Sequence, residues 1–392
     1  MDLPAETDPS LGRGLTGQAI FFAYMHRAFP TEGYDAQALY RMEVALDAPP
    51  ASPARLSLLG GMCGVGWSID HLQGRLLEPS DEDPCHALDA TLLDRLERNR
   101  ALQDVDWVAG LAGWGRYLLD RSHRPLVTHA LELLLTRLVE AASPQRQGIA
   151  WFTPPPRLTD WQRETFPKGY FDLGVAHGQP GILALLAEAW GRGYRVRGLE
   201  DTLHQGLDWF LARRMPHGQG WTFPSRYLGA GTPPSPARIA WCYGDLGVSL
   251  ALLSISRWMS STSLGDAARA LALHAAERPT EASDVRDPGL CHGAMGNAHL
   301  FLRLHHATGL EPLREAALRY LGVALAYHQP GIGIGGFSAW QPEPDAPSPW
   351  KANPGLLEGA AGIGLGLLAA STAFEPAWDR ILLASIPPIS PT

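Results

Sequence analysis

The sequence predicts an all-α protein, an α/α toroid of about seven helical hairpins with an inner and an outer helix layer. Three observations predict it. A short pattern recurs seven times: Gly, two small or apolar residues, Gly, then a run of small and apolar side chains. The runs that follow the glycines are apolar nearly all round. The stretches between them are amphipathic.

The glycine pairs are Gly14/Gly17, Gly61/Gly64, Gly110/Gly113, Gly178/Gly181, Gly244/Gly247, Gly293/Gly296 and Gly359/Gly362, in steps of 47, 49, 68, 66, 49 and 66 residues. Each step holds two helices and their connections, so the repeat unit is a hairpin. The runs GILALLAEAW, GVSLALLSISRW, GNAHLFLRL and GIGLGLLAAS carry almost no polar face. A helix of that kind is buried on all sides and belongs to the inner layer. The segments LLDRLERNRALQ, HALELLLTRLVEAA and PLREAALRYLGVALAYH have one polar face and belong outside. The glycines are expected to let neighbouring backbones approach where the ring narrows. Stacked hairpins can also form an open superhelix. The low charge of seven inner runs favours closure. Only 13 residues precede Gly14, too few for an outer helix there, so the expectation is either an incomplete first hairpin or a true start further upstream. The whole chain, 1–392, reads as one domain.

Bulk properties exclude several classes. A hydrophobic fraction of 45% with 18% charged residues describes a globular core. The net charge of −8 argues against nucleic-acid binding. No run approaches the ~20 apolar residues of a membrane span. The acidic start MDLPAETDPS has no apolar signal region, which points to the cytoplasm. Four cysteines in 392 residues are no disulfide scaffold, and in a reducing compartment clustered ones suggest a metal.

The loops running into the glycine pairs are rich in Pro and Trp: WFTPPPRLTDW at 151–161, TPPSPARIAW at 232–241 and the stretch 329–350. They would build one rim of the ring, either with aromatics placed to grip a peptide or as covers packed over the helix ends.

Aligning the seven units on their first glycine locates the chemistry. Two residues before it stand Gly12, Leu59, Val108, Ala176, Cys242, Cys291 and Leu357. Cysteine occurs only in the adjacent units five and six. One residue before it stand Arg13, Gly60, Ala109, His177, Tyr243, His292 and Glu358. Inner helices ~8–10 Å apart would let the two cysteines share one ion. With His292 they offer two thiolates and an imidazole and leave a fourth tetrahedral position open, the catalytic type of Zn²⁺ site. Cys63 lies one turn too deep and reads as core. Cys85–His86 has no glycine pair and reads as the start of an outer helix.

Two thiolates neutralise the charge of Zn²⁺, which suits the delivery of a third, substrate thiol as a nucleophile. His177 fills the histidine slot of unit four and is a candidate general acid or base. Asp106 is placed to orient it. Arg238 and Tyr243 are candidates to stabilise developing negative charge. A loop salt bridge is the structural alternative for Asp106 and Arg238. Asp104, Asp172 and Asp245 read as caps or surface residues.

The segments AWCYG (240–244), CHG (291–293), AHGQPG (176–181) and LLEGAAGIGL (356–365) resemble the signature motifs of the lanthionine synthetase C-like family. That resemblance implies one zinc ion at Cys242, Cys291 and His292, and active-site positions at His177, Asp106, Arg238 and Tyr243. It implies addition of cysteine thiols to dehydroalanine or dehydrobutyrine in a dehydrated precursor peptide, forming thioether rings. No dehydratase domain accompanies the motifs, so a separate dehydratase is expected as partner. Two other readings keep the toroid and zinc: a relative that adds a small thiol such as glutathione, and a binding scaffold without turnover. A toroid glycosidase would need two facing carboxylates, for which the rim slots offer only Asp106 and Glu358.

Overall fold

The computed structural model describes residues 8–48, 56–78, 82–99, 104–216, 220–343 and 346–386. The end of the outer-helix reading at 100–103 lies outside them. The inner layer consists of α1 (Leu15–Ala28), α3 (Met62–Leu72), α5 (Leu111–Asp120), α8 (Gln179–Gly191), α10 (Asp245–Trp258), α12 (Ala294–Thr308) and α14 (Ala360–Ser371). The outer layer consists of α2 (Tyr34–Asp47), α4 (His86–Arg98), α6 (Pro125–Ala141), α9 (Leu199–Leu211), α11 (Thr262–Glu277) and α13 (Glu311–Ala326). A short helix, α7 (Asp160–Thr165), sits in the rim loop of unit four and starts on a Thr159–Gln162 capping box. Burial separates the two layers: twelve of the 14 residues of α10 are buried, against five of the 16 in α13. No helix among the described residues is long and apolar enough to cross a membrane.

Each inner helix packs on the next, and α14 packs on α1, so the ring is closed and the open superhelix is excluded. Each outer helix follows its inner helix. The hairpin that begins at Gly14 is therefore the complete pair α1–α2, which corrects the expectation of an incomplete first unit. The unit without an outer α-helix among the described residues is the seventh. There the chain turns inward through the 3-10 turn Ala377–Leu382.

That turn fills the ring from the end away from the rim loops. Asp379, fully buried, lies 2.9 Å from His299 Nε2 and 2.9 Å from Arg303 Nε on α12. Arg380 reaches Asp120 of α5 and Glu188 of α8, which also hold the buried Arg116. The carbonyls of Ile381 and Leu382 accept the indole N–H groups of Trp107 (2.7 Å) and Trp241 (2.8 Å). Both indoles are buried, and each donor has found its partner.

At the rim a second closed circuit joins the units. Gly12 N–H donates to Leu59 O (2.7 Å), Leu59 to Val108 (3.3 Å), Trp107 to Ala176 (3.1 Å), Ala176 to Cys242 (3.4 Å), Cys242 to Cys291 (3.4 Å), Cys291 to Leu357 (2.8 Å) and Leu357 back to Gly12 (2.9 Å). These are the residues two before each first glycine, except that in unit three Val108 accepts while its neighbour Trp107 donates. The sequence register is thus a physical ring of hydrogen bonds, and equivalent positions stand side by side around the mouth.

The glycines serve the loops more than the helix contacts. A Cβ on the second glycine of units five and six would lie 2.1 Å from Trp241 O and 1.8 Å from Leu290 O, the carbonyl six residues earlier in the same chain segment. Each loop folds back over the first turn of its own inner helix. Contact between neighbouring backbones, the reason expected from sequence, is secondary.

Candidate metal centre and active site

The two metal loops are fixed before any side chain is considered. Trp241 and Cys242 both donate their N–H to Cys291 O, and Leu290 and Cys291 both donate to Leu357 O. Gly244 closes the first loop with φ +92°, in the left-handed region, and a Cβ there would lie 1.8 Å from Arg238 O. Only glycine fits. The result brings Cys242, Cys291 and His292 together, with one ligand atom from each lying within 4.8 Å of the other two. Cys242 is buried, and the other two are half-buried.

The donor set fits zinc. Two thiols and one imidazole are borderline-soft donors of the kind Zn²⁺ takes at ~2.0–2.3 Å, and atoms this close can share one such ion. The Cys242 thiol is held well below its ordinary pKa, first by a hydrogen bond with Cys291 and then, against the opposing effect of burial, by His292. A cysteine poised toward thiolate is the form that binds a metal. Cys63 is fully buried within α3, and Cys85 is the buried residue at the start of α4. Neither joins the cluster.

His177 stands at the rim in unit four with 42% of its side chain accessible. Its Nδ1 lies 2.9 Å from Asp106 Oδ2. The other carboxylate oxygen, Asp106 Oδ1, accepts the N–H groups of Ala109 (2.5 Å) and Gly110 (3.1 Å). The start of unit three therefore clamps the aspartate that holds the histidine of unit four. Burial pulls the His177 pKa down, but the hydrogen bond and charge of Asp106, with Asp172 and Cys242 adding to them, raise it to about 9.

Arg238 forms no pair with Asp106. It faces Asp284, 3.5 Å away, and both side chains are about a third or more exposed. Tyr243 lies in the neighbouring slot with its ring centroid 6.3 Å from that of His177. Its hydroxyl donates to Asp172 Oδ2 at 2.8 Å. Glu358, in the same slot of unit seven, accepts a hydrogen bond from Gln341 at 2.6 Å.

One residue at this site escapes sequence reasoning, and another, expected to be a cap or surface residue, does more than that. Arg226 lies on the strand Arg226–Tyr227, paired antiparallel with Phe171–Asp172. Its guanidinium covers the rings of Phe166, Tyr170 and Tyr243 at 5.1–5.4 Å. Asp172 is the second. It and Asp8, Asp104, Asp287 and Asn353 occupy one slot, six before the first glycine, and each side chain accepts the N–H of the residue two further on. This is an Asx turn. Reading that slot would have shown that Arg238 stands in unit five where five other units have Asp or Asn. Asp245 is no surface residue either: it is buried and accepts the N–H groups of Thr222 and Phe223.

Fold and site together define a class: a closed α/α toroid with a Cys-Cys-His cluster at its loop rim, beside an aspartate-held histidine. The family model for lanthionine synthetase C-like proteins matches residues 5–383, and the chain belongs to that family. Among solved structures, nisin cyclase is similar with a TM-score of 0.75 at 19% identity, covering 96% of this chain and 92% of that one. A sugar epimerase from a ruminal bacterium aligns with a TM-score of 0.45 at 10% identity, over 94% of this chain and 90% of that one. That second likeness is too loose to bear on function.

Proposed function

We propose that this chain is a zinc-dependent peptide cyclase, adding cysteine thiols to dehydroalanine or dehydrobutyrine residues of a dehydrated precursor peptide. The observation that carries the reading is the Cys242–Cys291–His292 cluster with the Asp106–His177 pair at the same mouth. Family membership and the likeness to a nisin cyclase support it.

Cys242, Cys291 and His292 would hold one zinc ion. When bound, zinc supplies the acidity that makes a thiol available as thiolate near neutral pH. In the addition, the C–S bond forms at Cβ of the dehydro residue, and the proton leaving the thiol is balanced by one arriving at Cα. His177 is the group placed to deliver that proton. With a pKa of about 9 it is an imidazolium at neutral pH, and Asp106 at Nδ1 leaves Nε2 as the donor. Arg238 supplies a cation at the rim for the enolate charge that precedes protonation. Aromatic residues in the rim, among them Trp161 and Trp350, both well exposed, would contact the peptide. A separate dehydratase would provide the dehydro residues.

The test is to incubate the protein with a dehydrated, cysteine-containing peptide and count free thiols by alkylation and mass spectrometry. Loss of thiols without change of peptide mass supports cyclisation. Unchanged thiols with a cognate peptide would favour a scaffold, and addition of glutathione in preference to ring closure would favour the small-thiol reading.

A further inference from the structure

Tyr243 adjoins a candidate metal ligand, and its residue type suggests a hydrogen-bond donor to developing negative charge. The geometry points elsewhere. A phenol carries one proton, and that of Tyr243 is given to Asp172 Oδ2 at 2.8 Å. Asp172 is 1% exposed, and its other oxygen accepts the Gly174 N–H at 2.8 Å. The tyrosine ring is fixed as well as the hydroxyl. A Cβ on Gly174 would lie 2.5 Å from the ring, so the ring lies against bare backbone there. Arg226 places its guanidinium 5.4 Å from the ring centroid.

The same construction occurs twice around the mouth. Asp106 of unit three uses one oxygen on its own turn and presents the other to His177 of unit four. Asp172 of unit four uses one oxygen on its own turn and presents the other to Tyr243 of unit five. The outcomes differ because the side chains differ. An imidazole held at Nδ1 still has Nε2 for chemistry, whereas a phenol held at its O–H has only lone pairs left.

We propose that Asp172 is a positioning residue, one that withdraws the Tyr243 O–H from the reaction and, with Arg226 and Gly174, holds the ring as a rigid wall of the site. Of the Asp-held pair His177 and Tyr243, His177 is then the one left to carry a proton. The inference rests on the cyclase reading.

Asp172→Asn is a clean perturbation, because Asn353 fills the same slot in unit seven and keeps the turn by accepting Gly355 N–H at 2.8 Å. The amide nitrogen would then face the phenol oxygen and release its O–H. Steady-state kinetics with the dehydrated cysteine peptide should be run on Tyr243→Phe, Asp172→Asn and the double variant, each at verified zinc content. Tyr243→Phe is expected to keep kcat within about threefold, with the pH profile unmoved, because it removes a group outside the chemistry. Asp172→Asn is expected to lower kcat about tenfold, because the freed Tyr243 O–H is returned to the site to bond groups the reaction uses, and adding Tyr243→Phe, which removes that O–H, should restore most of the loss.

A hundredfold loss in Tyr243→Phe, a displaced limb of its pH profile, or a double variant no better than Asp172→Asn would each overturn the proposal. Tyrosine-selective ¹³C labelling gives a reading free of turnover. The hydrogen-bonded Tyr243 Hη is expected to exchange slowly in wild type and fast in Asp172→Asn, and rapid exchange in wild type would refute the bond. If no peptide is turned over, the cyclase reading falls, and the Hη measurement still decides the positioning claim. If Asp172→Asn fails to fold, the Tyr243→Phe kinetics decide it.

Discussion

Replacing Asp106 by Asn tests the His177 assignment without removing the loop that carries it. The amide oxygen can still accept the Ala109 and Gly110 N–H groups, as Asn353 does for its own turn, while the negative charge 2.9 Å from Nδ1 is lost. Asp106 supplies the largest of the effects that raise the histidine pKa from 6.5 to about 9, and Asp172 and Cys242 remain as lesser ones. The midpoint should therefore fall toward 6.5. At pH 7.5 a group titrating at 9 is about 97% protonated, and one titrating at 6.5 about 9%. The supply of imidazolium drops up to about tenfold by that arithmetic, on top of any loss of orientation.

The sign for stability follows from the same shift. A raised folded-state pKa contributes stability that is complete below about 6.5 and is lost as pH rises through about 9. Wild type should weaken across that window relative to Asp106→Asn. The assay is a ¹³C-histidine NMR titration of both proteins, paired with the pH dependence of kcat. A wild-type His177 midpoint near 6.5, or one unchanged by the substitution, would refute the argument.

Three further outcomes follow from packing. Gly247→Ala would drive a Cβ to 2.1 Å from Trp241 O, on the loop that carries Cys242, so thermal unfolding should show a loss of about 3 kcal/mol or more. Gly322→Ala is its control: the site lies within α13, is exposed, and nothing stands within 4 Å of the added carbon, so a gain of up to about 1 kcal/mol is expected. Asp379→Ala should destabilise by about 3–5 kcal/mol in chemical denaturation, because it leaves Arg303 and His299 facing a buried position without their carboxylate.

Much of this architecture is legible in the sequence because the ring repeats itself. Seven glycine pairs mark seven helix starts, and the residues two before them, with Trp107 donating beside Val108, prove to form the ring of hydrogen bonds that sets Cys242 beside Cys291. Register was therefore enough to choose these two cysteines over Cys63 and Cys85. Much of what escaped has no period. Arg226 reaches Tyr243 through a strand pair whose members, Phe171–Asp172 and Arg226–Tyr227, are far apart in the chain. The inward turn at Ala377–Leu382 occurs once, and its link to the rim runs through backbone carbonyls that carry no residue code. Tyr243 shows the limit of residue type: its slot was readable, but the direction of its single proton was set by Asp172.

Everything proposed for the mouth of the ring depends on Cys242, Cys291 and His292 holding a metal. Elemental analysis of freshly purified protein, with wild type beside Cys242→Ala and Cys291→Ala, tests it most directly. One zinc per chain is expected in wild type and none in either variant, with all three proteins folded by circular dichroism. Metal-free wild type, or zinc retained at full stoichiometry in both variants, would contradict it.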